Sequence, residues 1–169
     1  RILEQPDGSF EVKTIPMLAT SWTYSDDKRD VTWNLRQGVK WHNGADFTAG
    51  DVKASIDRAL THRAGSQFMP FLDEVEVIDD NTVKFKQSDP WVAMEVALAT
   101  QLMVILPSSK TLGKPIDDDT WKNNLIGTGP FMLKERIAGE TDILVKNNNY
   151  WRKSADNEQL PYLDELRFQ

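Results

Sequence analysis

The sequence contains no cysteine, only two histidines and no long apolar run. Without cysteine there is no disulfide, no thiol nucleophile and no thiolate zinc site. The compartment stays open, because proteins outside the cytoplasm need not carry disulfides. The most apolar stretch, 91–107, is interrupted by Glu95, Thr100 and Gln101, whereas a spanning helix needs about 20 mainly apolar residues. Basic residues are in deficit: 20 Lys+Arg against 26 Asp+Glu leave a net charge of −6. That argues against nucleic acid, which needs a basic face, and against an anionic membrane surface. A leader is also missing. The chain opens on Arg1-Ile2-Leu3-Glu4 rather than on Met, as a processed or excised piece would, so its start says nothing about its address.

What is present is enough for one core: 169 residues, 40% of them hydrophobic. Asp7-Gly8 marks a turn between short extended runs. Leu18, Thr20, Trp22 and Tyr24 alternate with Ala19, Ser21 and Thr23, and Val31, Trp33 and Leu35 alternate with Thr32, Asn34 and Arg36. Period-two alternation implies strands with one dry face, and the Ser25-Asp26-Asp27 turn pairs them as a hairpin. Thr48 as N-cap with Asp51 three residues on predicts a helix, whose apolar face is Val52, Ile56, Ala59 and Leu60. A second hairpin is expected around Asp79-Asp80-Asn81 and a third around Ala138-Gly139-Glu140. Pro90 opens a short apolar helix through Trp91, Met94, Glu95, Leu98 and Leu102, and Met103–Leu106 reads as a buried strand ending at Pro107. Residues 108–126 are polar with a short helix, and a last strand starts at Leu163. The fold class is mixed α/β, strand-rich, with two main helices.

Few residues suggest chemistry. His42 and His62 are too few for a metal site, and no Ser/His/Asp motif is present. The acidic clusters at 26–27, 79–80 and 117–119 lack calcium-loop spacing, and Asp in turns is explained by local hydrogen bonding. Gly127-Thr128-Gly129-Pro130 lacks the Lys-Ser/Thr ending of a phosphate loop and reads as a rigid turn. No catalytic residue, metal or cofactor is expected. The segment Gly65-Ser66-Gln67-Phe68-Met69-Pro70-Phe71 is more suggestive. It puts large apolar side chains in what reads as a loop, where they bury against the core or against a ligand. The six tryptophans pack a core or line a cleft.

The order of motifs resembles a family. Ile15-Pro16-Met17-Leu18-Ala19-Thr20-Ser21-Trp22 leads into Thr32-Trp33-Asn34-Leu35-Arg36, then Gly38-Val39-Lys40-Trp41-His42-Asn43-Gly44 and Phe47-Thr48-Ala49-Gly50-Asp51-Val52. Ile126-Gly127-Thr128-Gly129-Pro130-Phe131, Asn149-Tyr150-Trp151 and Pro161-Tyr162-Leu163-Asp164-Glu165-Leu166 follow. Over residues 15–168 this series resembles the family 5 solute-binding proteins of ABC importers, the peptide/nickel type.

The resemblance implies a periplasmic-binding-protein-like lobe. Residues 1–169 would be most of lobe I, including the family's small subdomain, with the second lobe missing. It implies a receptor rather than an enzyme, one that captures a peptide or similar solute between lobes and delivers it to a membrane permease. The implied address is periplasmic or otherwise extracytoplasmic, including a lipoprotein at the cell surface. The implied ligand-binding residues are Gln67, Phe68 and Met69 after the first helix, Trp91, Met103 on the segment before Pro107, and Thr128 in the near-cleft turn. A nickel-type member carries arginine where this chain has Met103, which argues against an anionic metal chelate. By the same analogy His42 is not a metal ligand. The alternative is a ligand-sensing or interaction module built on the same fold.

Overall fold

Alternation of apolar and polar residues builds most of the secondary structure in the computed structural model, which describes residues 2–4, 6–12, 14–100, 104–113 and 125–169. Met103, Trp121 and the 117–119 acidic cluster lie outside the described residues. Two compact units are present. The first comprises Arg1–Arg36 and Val52–Ile105, and the second Gln37–Asp51 and Leu106–Gln169.

The first unit begins with a small antiparallel pair, β1 (Ile2–Glu4) and β2 (Phe10–Val12), joined through the Asp7-Gly8 turn. Its main element is a four-stranded antiparallel sheet. The strands β3 (Ala19–Tyr24), β4 (Asp30–Leu35), β5 (Leu72–Asp79) and β6 (Thr82–Gln87) stand in the order β3-β4-β6-β5. Register explains the burial. Tyr24, Val31, Phe85 and Val75 form one cross-strand row, and Trp22, Trp33, Val83 and Val77 form the next. Because directly opposed residues share a face, these rows make the dry side, where Val31, Trp33, Val75, Val83 and Phe85 are buried. Trp22 stacks on Trp33 with ring centroids 5.1 Å apart. The opposite face carries Lys86 against Glu74 and Glu76 at 3.1 and 3.0 Å. An irregularity between Ala19 and Ser21 breaks the alternation, so Thr20 faces solvent rather than joining the Trp22 face.

Helix α1 (Ala49–Leu60) starts and stops where its cap residues require, and the boundary between the units falls inside it. Val52 and Ile56 are buried, while Lys53 and Asp57 pair at 2.9 Å on the wet face. The segment after it is not a loop, as the sequence predicts, but a short helix, α2 (Arg63–Phe68). The short apolar helix expected after Pro90 is α3 (Met94–Leu98), about a turn and a half that starts later than Trp91 and buries Met94 and Ala97. The expected buried strand before Pro107 is absent from the described residues 104–106, and Val104 is 61% exposed. An apolar run alone does not distinguish a strand from an irregular segment when no neighbour supplies a ladder.

In the second unit, α4 (Ser109–Leu112) is capped by the Ser108 hydroxyl, which accepts from the Thr111 N–H, and ends at Gly113 in the left-handed region. Strands β7 (Phe131–Ile137), β8 (Thr141–Lys146) and β9 (Glu165–Phe168) form a meander in that order. Between Lys40 and Asp46 the chain makes a tight excursion. Gly44 takes φ +86°, and the Lys40 ammonium meets Asp46 at 2.6 Å. Val39, Trp41 and Phe47 from this excursion are buried.

Candidate functional site

Two polar knots organise the second unit. At the first, Asp51 at the start of α1 is fully buried. One carboxylate oxygen accepts from the Trp41 indole N–H at 3.1 Å and the Thr48 N–H at 3.0 Å. The other accepts from the Ser108 N–H at 2.8 Å and the Thr111 hydroxyl at 2.5 Å. Burial alone would raise its pKa, but the hydrogen bonds from Thr111, Ser108 and Thr48 outweigh it and hold the carboxyl below its ordinary range. Asp51 therefore does more than cap its own helix. It ties α1 to the 39–48 excursion and to the N-terminus of α4.

At the second knot, His42 is clasped to the Gly127-Thr128-Gly129 turn. Its backbone N–H donates to the Gly127 carbonyl at 2.9 Å. Its Nδ1 accepts from the Gly127 N–H, and its Nε2 lies on the Gly129 carbonyl, both at 3.1 Å. Since Nδ1 accepts, the ring is neutral with its hydrogen on Nε2. Buried Asn147 gives a second support, donating from Nδ2 to the Gly129 carbonyl at 2.9 Å. Thr128 thus sits on a turn whose flanking peptides are held by two side chains. The reading of His42 as a satisfied turn residue agrees with this geometry. Asn147 reads in sequence only as part of a closing Asn run, because its partner is eighteen residues earlier in the chain.

In the first unit, Gln67 and Phe68 end α2 and are exposed, Phe68 by 37%, whereas the next residue, Met69, is a core side chain only 1% exposed. Trp91 packs edge-on against Phe71 at 6.2 Å between centroids. The chain beyond Trp91 is pinned by Tyr24, whose hydroxyl donates to the Glu95 carboxylate and also lies 3.2 Å from the Val92 carbonyl. Burial, then the bond to Glu95, pushes the Tyr24 pKa up, so it stays protonated. Tyr24→Phe is expected to cost about 1 kcal/mol, the usual net worth of a partly exposed bond to a charged acceptor. Urea denaturation of the two proteins checks this, and unchanged midpoints would remove the pin. Thr128 belongs to the second unit and Met103 to no described segment, so each is placed only within its own surroundings.

Among the described residues, two further features bear on a site. A hollow of about 330 Å³ lies by the β7–β8 turn, lined by Gly139 and Phe168 among others. Of its charged lining, Arg136 and Asp142 are consumed by each other through two bonds of 2.8 Å. Among the described residues no group of three His, Asp or Glu side chains is placed to hold a metal ion.

This strand-rich α/β chain is similar to a solved binding protein. It covers 99% of the chain at TM-score 0.75 and 30% identity when matched to the protein AgaA of A. tumefaciens R10, solved with agropinic acid, of which it spans 32%. The fold is that of the periplasmic binding proteins. Residues 13–169 match the bacterial extracellular solute-binding proteins, family 5 middle, and the chain belongs to that family. It is 30% identical over 171 residues to a probable ABC transporter-binding protein of Deinococcus radiodurans, covering 90% of this chain and 29% of that protein. It is 33% identical over 136 residues to the probable D,D-dipeptide-binding periplasmic protein DdpA of Escherichia coli K12, covering 79% and 26%. The chain therefore spans under a third of the length of these relatives. The family consists of substrate-binding proteins of ABC transporters, not enzymes, and a periplasmic location is typical of it.

Proposed function

We propose that this chain is most of one lobe of a two-lobe extracytoplasmic receptor, which captures a peptide or similar small solute and delivers it to an ABC permease. The match over residues 13–169 to a family of extracellular solute-binding proteins carries the reading. A relative named for D,D-dipeptides favours a peptide-like ligand. The ligand residues proposed are Gln67, Phe68 and Trp91 in the first unit, Thr128 in the second, and Met103, which lies outside the described residues. Exposed Phe68 supplies an apolar surface at the end of α2, and buried Met69 serves as packing beneath that segment. Closing two lobes on a solute by hinge motion is how periplasmic binding proteins retain their cargo.

Titration calorimetry with dipeptide and tripeptide mixtures tests the proposal. The protein extended to the length of its relatives is expected to bind at submicromolar Kd. The 169-residue chain alone should bind at least ~100-fold more weakly, since a tight site buries most of its ligand's surface. Submicromolar binding by the short chain would contradict the two-lobe requirement. No peptide binding by the extended protein would remove the peptide assignment.

A further inference from the structure

The clasp between His42 and the Gly127–Gly129 turn works in only one protonation state of the ring. Nδ1 must present a lone pair to the Gly127 N–H, and Nε2 must carry the hydrogen that meets the Gly129 carbonyl. A proton added to the ring goes to Nδ1. It would then point one N–H at another, and the Gly127 bond would be replaced by a repulsion. The Gly127 N–H is part of the Ile126–Gly127 peptide, and that peptide would have to turn away. The Gly127 carbonyl would stay on the His42 backbone N–H, and Gly129 would remain held by Asn147. Both carbonyls of the turn therefore stay anchored, and the releasable part is the peptide that leads into it.

We propose that His42 is a positioning residue for the entry to the Thr128 turn, holding the Ile126–Gly127 peptide when neutral and releasing it when protonated. Among the described residues, the charged groups on the surrounding segments of this unit are Lys40 and Asp46 on the same loop, Asp51 on α1, Lys110 on α4, and the Lys146–Asp164 pair flanking Asn147. Among the described residues the ring bonds to none of them, and its partners are backbone groups. Lys40 and Asp46 neutralise each other, and Asp51 is consumed by its own donors. Burial depresses the ring's pKa below 6.5, and the carbonyls of Gly129 and Leu125 oppose this only in part. Release then belongs to the acid side of the ordinary histidine range, not to neutrality. The lock itself needs no ligand. Its consequence, weaker solute retention in acid, rests on the proposed role of Thr128.

Nitrogen-15 NMR of the labelled chain from about pH 8 to about pH 5, the range in which histidine titrates, reads the lock directly. At the upper end the ring should show a bare Nδ1 and a protonated Nε2. On acidification the Gly127 amide should shift in step with the ring, with one shared midpoint. Protection of the Gly127 amide from exchange should fall at least tenfold, while Gly129 moves less. His42→Gln replaces the ring with an acceptor and a donor that do not titrate, and the Gly127 shift with pH should vanish. A hydrogen on Nδ1 at neutral pH, or a Gly127 amide that ignores the ring's titration, overturns the lock. If His42→Gln does not fold, the wild-type titration still decides. Because no ligand is added, failure here is separate from failure of the peptide reading.

Discussion

Asp51→Ala is expected to destabilise the protein by about 4 kcal/mol and to shift its urea midpoint by roughly 2 M at an m-value near 2 kcal/mol/M. The substitution strands the Trp41 indole N–H, the Thr48 and Ser108 backbone N–H groups and the Thr111 hydroxyl. Each buried donor left alone costs about 1–3 kcal/mol, and the losses are less than additive because the groups share one site. Domains of this kind are stable by only about 5–15 kcal/mol, so the variant should accumulate poorly. Asp51→Asn should fall between, since an amide retains one acceptor but turns an NH2 toward two donors.

The same carboxylate fixes a pH dependence. Its pKa is lower in the folded chain than the ordinary 3.8. The unfolded chain therefore takes up the proton first as pH falls. The stabilisation is complete above about pH 4 and drains away below it, down through the folded-state value. In Asp51→Ala this acid-sensitive part should be missing. Urea midpoints measured across acid pH check both claims, and a midpoint change below about 0.5 M at neutral pH would mean the knot is not a support.

Gly65→Ala is expected to lower stability by about 2 kcal/mol, or roughly 6 °C in Tm for a chain of this size. Helix propensity argues the other way, because alanine within α2 should gain about 1 kcal/mol over glycine. The geometry overrides it. A Cβ at Gly65 would lie 2.0 Å from the Ala59 carbonyl oxygen and 2.6 Å from its carbon. That neighbour is backbone of α1, so no side chain can rotate aside. The helices must separate, and the Gln67-Phe68 end of α2 should move with them. Thermal unfolding followed by circular dichroism tests this, and an unchanged or higher Tm would show that the elbow relaxes freely. In the extended receptor the same variant should weaken peptide binding if Phe68 is a ligand residue.

Periodicity was a sound guide where each element carried its own signal. The β3–β4, β5–β6 and β7–β8 hairpins, the start of α1 at Thr48 and its stop near Leu60 all follow from alternation, turn residues and caps lying within a few positions of one another. The mixed α/β class and the family were readable because the ordered motifs persist through the chain. Where the signal was only apolar content, the reading failed. Residues 65–68 belong to a helix, and residues 104–106 form no strand.

The site was less legible, for a reason that can be stated residue by residue. Asp51 displays a local cap, yet its decisive donors, Ser108 and Thr111, come from 57 and 60 positions away. His42 looks like an ordinary turn residue until Gly127 arrives from 85 positions on to occupy its ring. Gly65 is required because α2 comes close to the α1 backbone, which no neighbouring residue announces. The sequence by itself determined strands, turns, the main helix and kinship, since these depend on short-range backbone preference and on motif order. Only the tertiary structure decided which carboxylate is buried, which imidazole must stay neutral and which glycine admits no side chain. Those outcomes depend on desolvation and on partners that folding alone brings within hydrogen-bond distance.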